Sequence, residues 1–376
     1  MNNRHAVIAL NMISGIGYAK YRALTEYFEE PKKIFEAKLE ELVSVKGVGE
    51  SLAERIIEFS ASGELENELE IAERSGVQII TLLDDEYPIE LKNIYDPPLC
   101  LYVRGVLPSF TNNAVAIVGS RKLSKYGERM TKSITEGAVF HNFIVVSGLA
   151  FGADYIAHKT TVDNDGITVG VLGGGLAQIT PKEHIPLARE IIQKGGAIIS
   201  EFPINFPVSR QSFPRRNRIV AALSQATIVV EAGLESGALI TADLANEYGK
   251  NVFAVPGNVD NPQSRGCHKL IRNGEASLIE NFNDALDIMD CGLFSGDDCL
   301  RDGEFEYDLS DSDEADSGVL TGNEKIVYDS LNESEKSFDE LVLATQLDAG
   351  VLISTLMMLE LKLIILKNPD KTYRIR

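Results

Sequence analysis

Between Phe202 and Val230 the chain carries no carboxylate, although it holds 56 acidic and 36 basic residues overall. The same stretch contains Arg210, Arg215, Arg216 and Arg218, with Asn217 among them and Phe206 and Phe213 interleaved. Guanidinium groups grip phosphate in bidentate fashion, and aromatic faces stack on nucleobases. One stacked base contributes roughly 1–3 kcal/mol. Four arginines with no acidic residue close by in sequence read as a phosphate clamp beside a stacking surface.

Glycine-rich turns supply a second source of anion contacts. Ala114–Val118 reads as a strand, followed by Gly119, Ser120 and Arg121 and then a helix starting near Tyr126. Backbone amides at such a turn, the Ser120 hydroxyl and Arg121 suit a phosphate. Ser147 and Gly148 end another strand, with Asp154 and His158 on the next helix. Gly173, Gly174 and Gly175 follow a third strand, and Glu231-Ala-Gly-Leu-Glu-Ser236-Gly237 precedes the helix Ala238–Tyr248. Four such turns predict a long rim of exposed amides, larger than one mononucleotide needs. No GxGxxG fingerprint follows the first strand and no Walker lysine motif is present, so neither NAD nor ATP is implied.

Signals for catalysis are weak. Asp154 and His158 sit at helical spacing, but no GxSxG nucleophile turn is present. Cys267 and His268 are adjacent, with Lys269 and Arg272 extending a basic rim on the same helix. Cys100, Cys267, Cys291 and Cys299 form no CxxC pair, and five histidines form no ligand cluster. Neither disulfide scaffold nor zinc ribbon fits, and no metal or cofactor is expected. The formal charge of −20 would repel nucleic acid if spread evenly, so an anion site must be a local basic patch. The start MNNRHAVIAL lacks the pattern of a secretory leader, and Glu360 and Lys362 interrupt the apolar stretch Leu352–Leu366. These features predict a cytoplasmic protein with no membrane partner.

These groups need elements to hold them. Short apolar runs at Val77–Leu83, Ala114–Val118, Phe143–Val146, Thr168–Leu172, Ala197–Ile199, Thr227–Val230 and Asn251–Val255 alternate with helical stretches. That pattern predicts an α/β fold, a doubly wound, mostly parallel sheet that binds ligands at its carboxyl ends. The organisation expected is a helical domain over 1–75, the sheet domain over 76–290, an acidic linker over 291–318 and a small domain over 319–376. In the first, Ile13-Ser-Gly-Ile-Gly17 and Val45-Lys-Gly-Val-Gly49 each open a helix. This pair resembles a helix-hairpin-helix, whose amides can face phosphate; with only Lys20, Arg22, Lys46 and Arg55 nearby, a plain bundle turn fits as well. From Asp297 to Asp316 ten carboxylates and one arginine predict a solvated tether. The last segment reads as helices over Glu324–Leu331, Phe338–Ala344 and Gly350–Leu361, then strands over Leu363–Leu366 and Thr372–Ile375. This is the order of a winged helix. Val351–Glu360 carries almost none of the Arg, Asn or Gln that reads DNA, which suits packing or protein contact.

The ordered motifs resemble the DprA/Smf family of bacterial DNA-processing proteins. They are Gly119-Ser-Arg121, Ser147-Gly-Leu-Ala-Phe-Gly-Ala-Asp154 with His158, Ser200-Glu-Phe-Pro203, Phe213-Pro-Arg-Arg-Asn-Arg-Ile219, Glu231–Thr241, Val255-Pro-Gly257 and Arg265–Ile271. Asp84-Asp-Glu-Tyr-Pro88 and Pro97-Pro-Leu99 also match. The resemblance implies an extended Rossmann-like core that binds single-stranded DNA without sequence preference. It implies a non-enzymatic role in loading the RecA recombinase during natural transformation and recombination, and a homodimer formed through that core. Carried over to this chain, Arg121 and Arg210 would clamp phosphate and Phe213 would stack a base. Arg215, Arg216, Asn217, Arg218, Ser147, Gly148, Ser236, Gly237 and Lys269 would line the groove with Gly119 and Ser120. His268 stands where the family often has Asn. The alternative is a nucleotide-hydrolysing enzyme of the lysine-decarboxylase-like group, whose Pro-Gly-Gly-x-Gly-Thr-x-x-Glu turn is not matched by Glu231–Gly237. A third reading is a scaffold in which Arg121 and Arg210 are dispensable.

Overall fold

In the computed structural model the alternating apolar runs become a nine-stranded sheet among the described residues, which are 1–111, 113–293, 322–332, 336–345, 347, 351–352, 355–356, 359, 365–367 and 372–375. The strands are β1 (Gln78–Thr81), β2 (Cys100–Gly105), β3 (Ala114–Val118), β4 (Ile144–Ser147), β5 (Thr168–Val171), β6 (Ala197–Ser200), β7 (Ala226–Val229), β8 (Asn251–Ala254) and β9 (Ser277–Leu278). Their order is β1-β2-β6-β5-β4-β3-β7-β8-β9. The strands from β3 to β9 run parallel, while β2 pairs antiparallel with both β1 and β6. β2 and β9 were not expected. Neither sits in a strand–helix–strand alternation of ordinary length: β2 leads straight to β3, and β9 has two residues.

β3 explains why these runs are continuous rather than alternating. All five of its residues are buried, with Ala114, Ala116 and Val118 on one face and Val115 and Ile117 on the other. Both faces are covered, so both must be apolar. Helices α11 (Ser212–Leu223) and α12 (Gly237–Glu247) cover the first face. Helices α8 (Lys125–Phe140) and α14 (Phe282–Leu293) cover the second, with Ile134, Ala138 and Phe282 in that core. The remaining helices of this sheet region are α7 (Ile89–Lys92), α9 (Ala153–Asp163), α10 (Ile185–Gln193) and α13 (Arg265–Arg272).

Six helices precede the sheet: α1 (Asn3–Met12), α2 (Tyr18–Phe28), α3 (Pro31–Ile34), α4 (Leu39–Ser44), α5 (Glu50–Ser62) and α6 (Glu64–Ser75). The two glycine hairpins open α2 and α5. In the first, Arg55 donates to the Ser14 carbonyl at 2.7 Å and Lys20 to the Gly15 carbonyl at 2.9 Å. These helices form one compact unit with the sheet. Ile8, Leu10, Leu24 and Ile56 share a core with Tyr102 and Ile198 of the sheet and Ile191 of α10. Polar ties cross the same junction. Arg4 bridges Asp84 at 3.1 Å and donates to the Ile79 carbonyl of β1. Asn11 donates to the Glu201 carbonyl at 3.0 Å, and Glu68 accepts from the Ile204 amide at 2.7 Å. The front helices therefore hold the segment that leads from β6 into α11.

The second unit contains α15 (Gly322–Asn332), β10 (Lys336–Ser337), α16 (Phe338–Thr345), β11 (Ile365–Lys367) and β12 (Thr372–Ile375). Its strands pair antiparallel in the order β10-β12-β11. Leu352, Leu356 and Leu359 lie in helical segments and are buried with Val327, Leu341 and Tyr373, so these apolar residues pack its core. Of the expected acidic linker over 291–318, residues 291–293 belong to α14 and the rest fall outside the described residues.

Candidate nucleic-acid interface

The order in which strands are added reverses at β3. The strands β4, β5 and β6 lie on one side of it and β7 and β8 on the other. The helices that follow β3 and β7, α8 and α12, lie on opposite faces of the sheet and leave a crevice at the carboxyl ends. A cavity of about 610 Å3 occupies it. Of the residues expected from sequence, Gly119, Ser120, Arg121, Gly148, Arg210, Phe213, Arg216, Asn217, Ser236 and Gly237 line this cavity. Ser147, Arg215, Arg218 and Lys269 do not.

The division among the arginines follows from the helix that carries most of them. At 3.6 residues per turn, Phe213, Arg216, Asn217 and Val220 share the cavity face of α11. Arg215 and Arg218, three apart, share another face. There both pair with Glu201, at 2.8 and 2.7 Å, and Arg218 also lies 3.4 Å from Asp96. Glu201 and Arg218 are buried, so Arg218 is a structural cation and not a groove residue. The carboxylate-free stretch thus finds its partner just outside its own boundary. Ser147 is also buried, its hydroxyl donating to the Ile117 carbonyl at 2.7 Å. Lys269 is exposed on α13, outside the cavity lining.

At the cavity floor Arg216 is buried and donates to the Val171 carbonyl at the end of β5. A Cβ at Gly148 would fall 2.0 Å from its guanidinium, so only glycine admits the arginine there. Asp154 accepts the amides of Gly148 at 3.1 Å and Ala150 at 3.3 Å and balances the arginine charge. Burial holds the Asp154 carboxyl above its usual range against the pull of Arg216, and burial also lowers the pKa of Arg216. Asp154 does not pair with His158. The His158 Nδ1 lies 2.7 Å from the Thr168 hydroxyl, which itself donates to the Val145 carbonyl, so the ring donates to Thr168 from Nδ1. Burial, followed by the nearby Arg216 and His184, pulls the His158 pKa down to about 3. It is a neutral core histidine.

Arg121 and Arg210 frame the mouth. Both are exposed, and neither has an ion-pair partner among the described residues. The Arg121 guanidinium lies 5.2 Å over the Phe213 ring. The loop bearing Arg121 is tied down by Glu231: its carbonyl accepts the Ser120 amide at 2.6 Å. Its buried carboxylate accepts the amide and hydroxyl of Ser124 at 2.8 and 2.7 Å and the Asn261 side chain at 3.0 Å. The Ser120 hydroxyl donates to the Lys122 carbonyl at 3.0 Å and shapes the same turn. Across the mouth Ser236 caps α12, accepting from the Ala238 amide at 3.3 Å, and Asn217 donates to the Gly237 carbonyl at 3.1 Å. The positive end of α12 therefore faces the cavity.

The third glycine turn does not. A Cβ at Gly175 would fall 2.1 Å from the Pro203 carbonyl oxygen, because the segment leading to α11 packs over Gly173–Gly175. Gln263, Thr241 and Glu235 line the cavity without having been expected. Thr241 is one turn beyond Gly237 on α12, and a buried acid such as Glu231 beside a strand end signals that loops converge on it. His268 Nε2 lies 3.0 Å from the Gly257 carbonyl oxygen and supports the Val255-Pro-Gly257 turn. In the approach segment Tyr87 donates to the Pro98 carbonyl at 2.6 Å, which gives those motif residues a structural part. No helix among the described residues is long and apolar enough to cross a membrane.

Residues 78–290 match the family model described as DNA recombination-mediator protein A, and residues 7–61 match that of a SAM-like helix-hairpin-helix tandem. Protein Smf of Escherichia coli is 39% identical over 241 residues, 64% of each chain. Protein Smf of Synechocystis is 37% identical over 279 residues, 73% of this chain and 70% of that one. The X-ray structure of DNA processing protein A from Streptococcus pneumoniae superposes with a TM-score of 0.66 at 33% identity, over 76% of this chain and 98% of its own. A Helicobacter pylori DNA processing protein A structure, described for its single-stranded DNA binding mode, gives 0.52 at 30% identity, over 58% and 98%.

Proposed function

This chain belongs to the DNA recombination-mediator protein A family, and from that premise we propose that it binds single-stranded DNA without sequence preference in the cavity at the β3–β7 switch point. The observation that carries the reading is the pair of exposed arginines, Arg121 and Arg210, without an ion-pair partner among the described residues, at a cavity mouth that also holds Phe213. Both cations are free to take phosphate oxygens, while the Gly119, Gly148 and Gly237 backbones and the α12 terminus add electropositive surface. Arg216, balanced by Asp154 and bound to the Val171 carbonyl, shapes the floor beneath them. Phosphate contacts do not distinguish bases, which accounts for the absence of sequence preference. A base stacks on Phe213 as Arg121 turns from the ring toward phosphate. Single strands are favoured because only unpaired bases offer a free face.

The family resemblance extends the proposal. The protein acts as a binder rather than an enzyme, as a cytoplasmic homodimer through the Rossmann-like core, and helps load RecA onto the strand it holds. Two aligned grooves would raise affinity for longer strands.

The test is fluorescence anisotropy of labelled oligo-dT and its duplex across a salt series. The expected outcome is preference for the single strand, with affinity falling as salt rises. Arg121→Ala and Arg210→Ala should each weaken binding about tenfold. Unchanged affinity in both would remove the groove assignment and move attention to nucleoside-monophosphate hydrolysis. RecA assembly on strands already covered by a single-strand-binding protein, with and without this protein, tests the loading step.

A further inference from the structure

Phe206 combines exposure with rigidity. It is 38% exposed, yet its amide donates to the Pro203 carbonyl at 2.9 Å and its carbonyl accepts the Gly175 amide at 2.9 Å. Its ring stacks on Phe202 with centroids 4.6 Å apart and planes 11° from parallel. Phe202 is buried and carries the Arg215 guanidinium at 5.1 Å, itself fixed by Glu201. An exposed ring so held is preordered for stacking. The Gly173–Gly175 turn links it to the cavity: Gly173 backs the Phe213 ring and Gly175 holds the Phe206 backbone. The two anchor points are two residues apart, within about 7 Å along the chain.

We propose that Phe206, backed by Phe202 and Arg215, is a second stacking station that receives a base of the same strand as it leaves the cavity over α11. This rests on the single-strand reading of the cavity. It also gives Arg215 a function outside the cavity, as the cation that completes the aromatic stack from below.

The chain has no tryptophan, so Phe206→Trp introduces a single reporter. Saturating oligo-dT that extends beyond the cavity should quench its fluorescence, while dT short enough to stay inside should not. Phe206→Ala should bind the long strand about tenfold more weakly and leave the short one nearly unaffected, whereas Phe213→Ala should weaken both. An unquenched tryptophan in a complex seen by anisotropy overturns the station. So does wild-type affinity of Phe206→Ala for the long strand when Phe213→Ala has lost it, and the cavity reading then survives. Wild-type affinity in both variants, or no binding by the unaltered protein, overturns the two readings together.

Discussion

Helix α11 presents arginine on two faces, and the two have different electrostatic settings. On the Glu201 face, Arg218 is buried against a carboxylate and a neighbouring Asp96. On the cavity face, Arg216 is balanced by Asp154 beneath the surface, and beyond it Arg121 and Arg210 stand in solvent without a carboxylate partner among the described residues. A buried pair locks a segment in place and leaves no charge for a ligand. An exposed, unpaired cation adds little to folding and keeps its charge available. The same residue type is thus paired and structural within α11 and exposed and unpaired among the described residues at the mouth beside it, and pairing decides which charge stays available to a ligand.

The difference has measurable consequences. Arg218→Ala leaves Glu201 buried with one partner fewer, and removing one member of a buried pair costs roughly 3–5 kcal/mol. Urea denaturation should show that loss. Arg210→Ala should stay within about 0.5 kcal/mol of the parent stability while losing affinity. If Arg210→Ala unfolds the protein and Arg218→Ala merely weakens binding, the assignment of the two faces is reversed.

The buried side of the site also makes stability depend on pH. Unfolded His158 titrates near 6.5 and folded His158 near 3, so between those values the unfolded chain binds more protons. Its contribution is complete above pH 6.5 and falls away as pH drops toward 3. At pH 5 the loss amounts to roughly 2 kcal/mol. His158→Gln should flatten the slope of stability against pH in that window, whatever it does to the absolute level. An unchanged slope would mean that the imidazole is not held neutral.

Salt separates the mouth from the rest more finely. Losing one phosphate contact on a single strand should reduce the slope of log affinity against log salt by about 0.7. Arg121→Ala and Arg210→Ala should each show this reduction, and Lys269→Ala, outside the cavity, should not. Deleting the second unit after Asp316 should have the smallest effect, leaving strand affinity within about twofold. A collapse in a folded truncate would bring that unit into the binding site.

Much of this arrangement is legible in the sequence because it follows from periodicity. The parallel strands are continuous apolar runs, and the glycine turns mark their carboxyl ends. What the linear order hides is direction around a helix axis and contact at long range. Arg215 to Arg218 form one basic block on paper, yet a rotation of about 100° per residue divides them. Glu201 lies just before the carboxylate-free stretch, and nothing local says that it folds back onto α11. Gly173–Gly175 looks like the other turns, but Pro203 and Ile204 cover it. Ser147 has the right neighbours and points into the sheet.

Arg4 offers a different lesson. β1 is one of the sheet's two outer strands, and the guanidinium of Arg4 occupies its Ile79 carbonyl while Asp84 accepts the Thr81 amide. An open strand margin is a template on which another chain can add itself. Arg4 of the first helix occupies part of that margin. Purified protein trimmed of that helix should self-associate, a hazard to consider before any shortened form is used to map the proposed site.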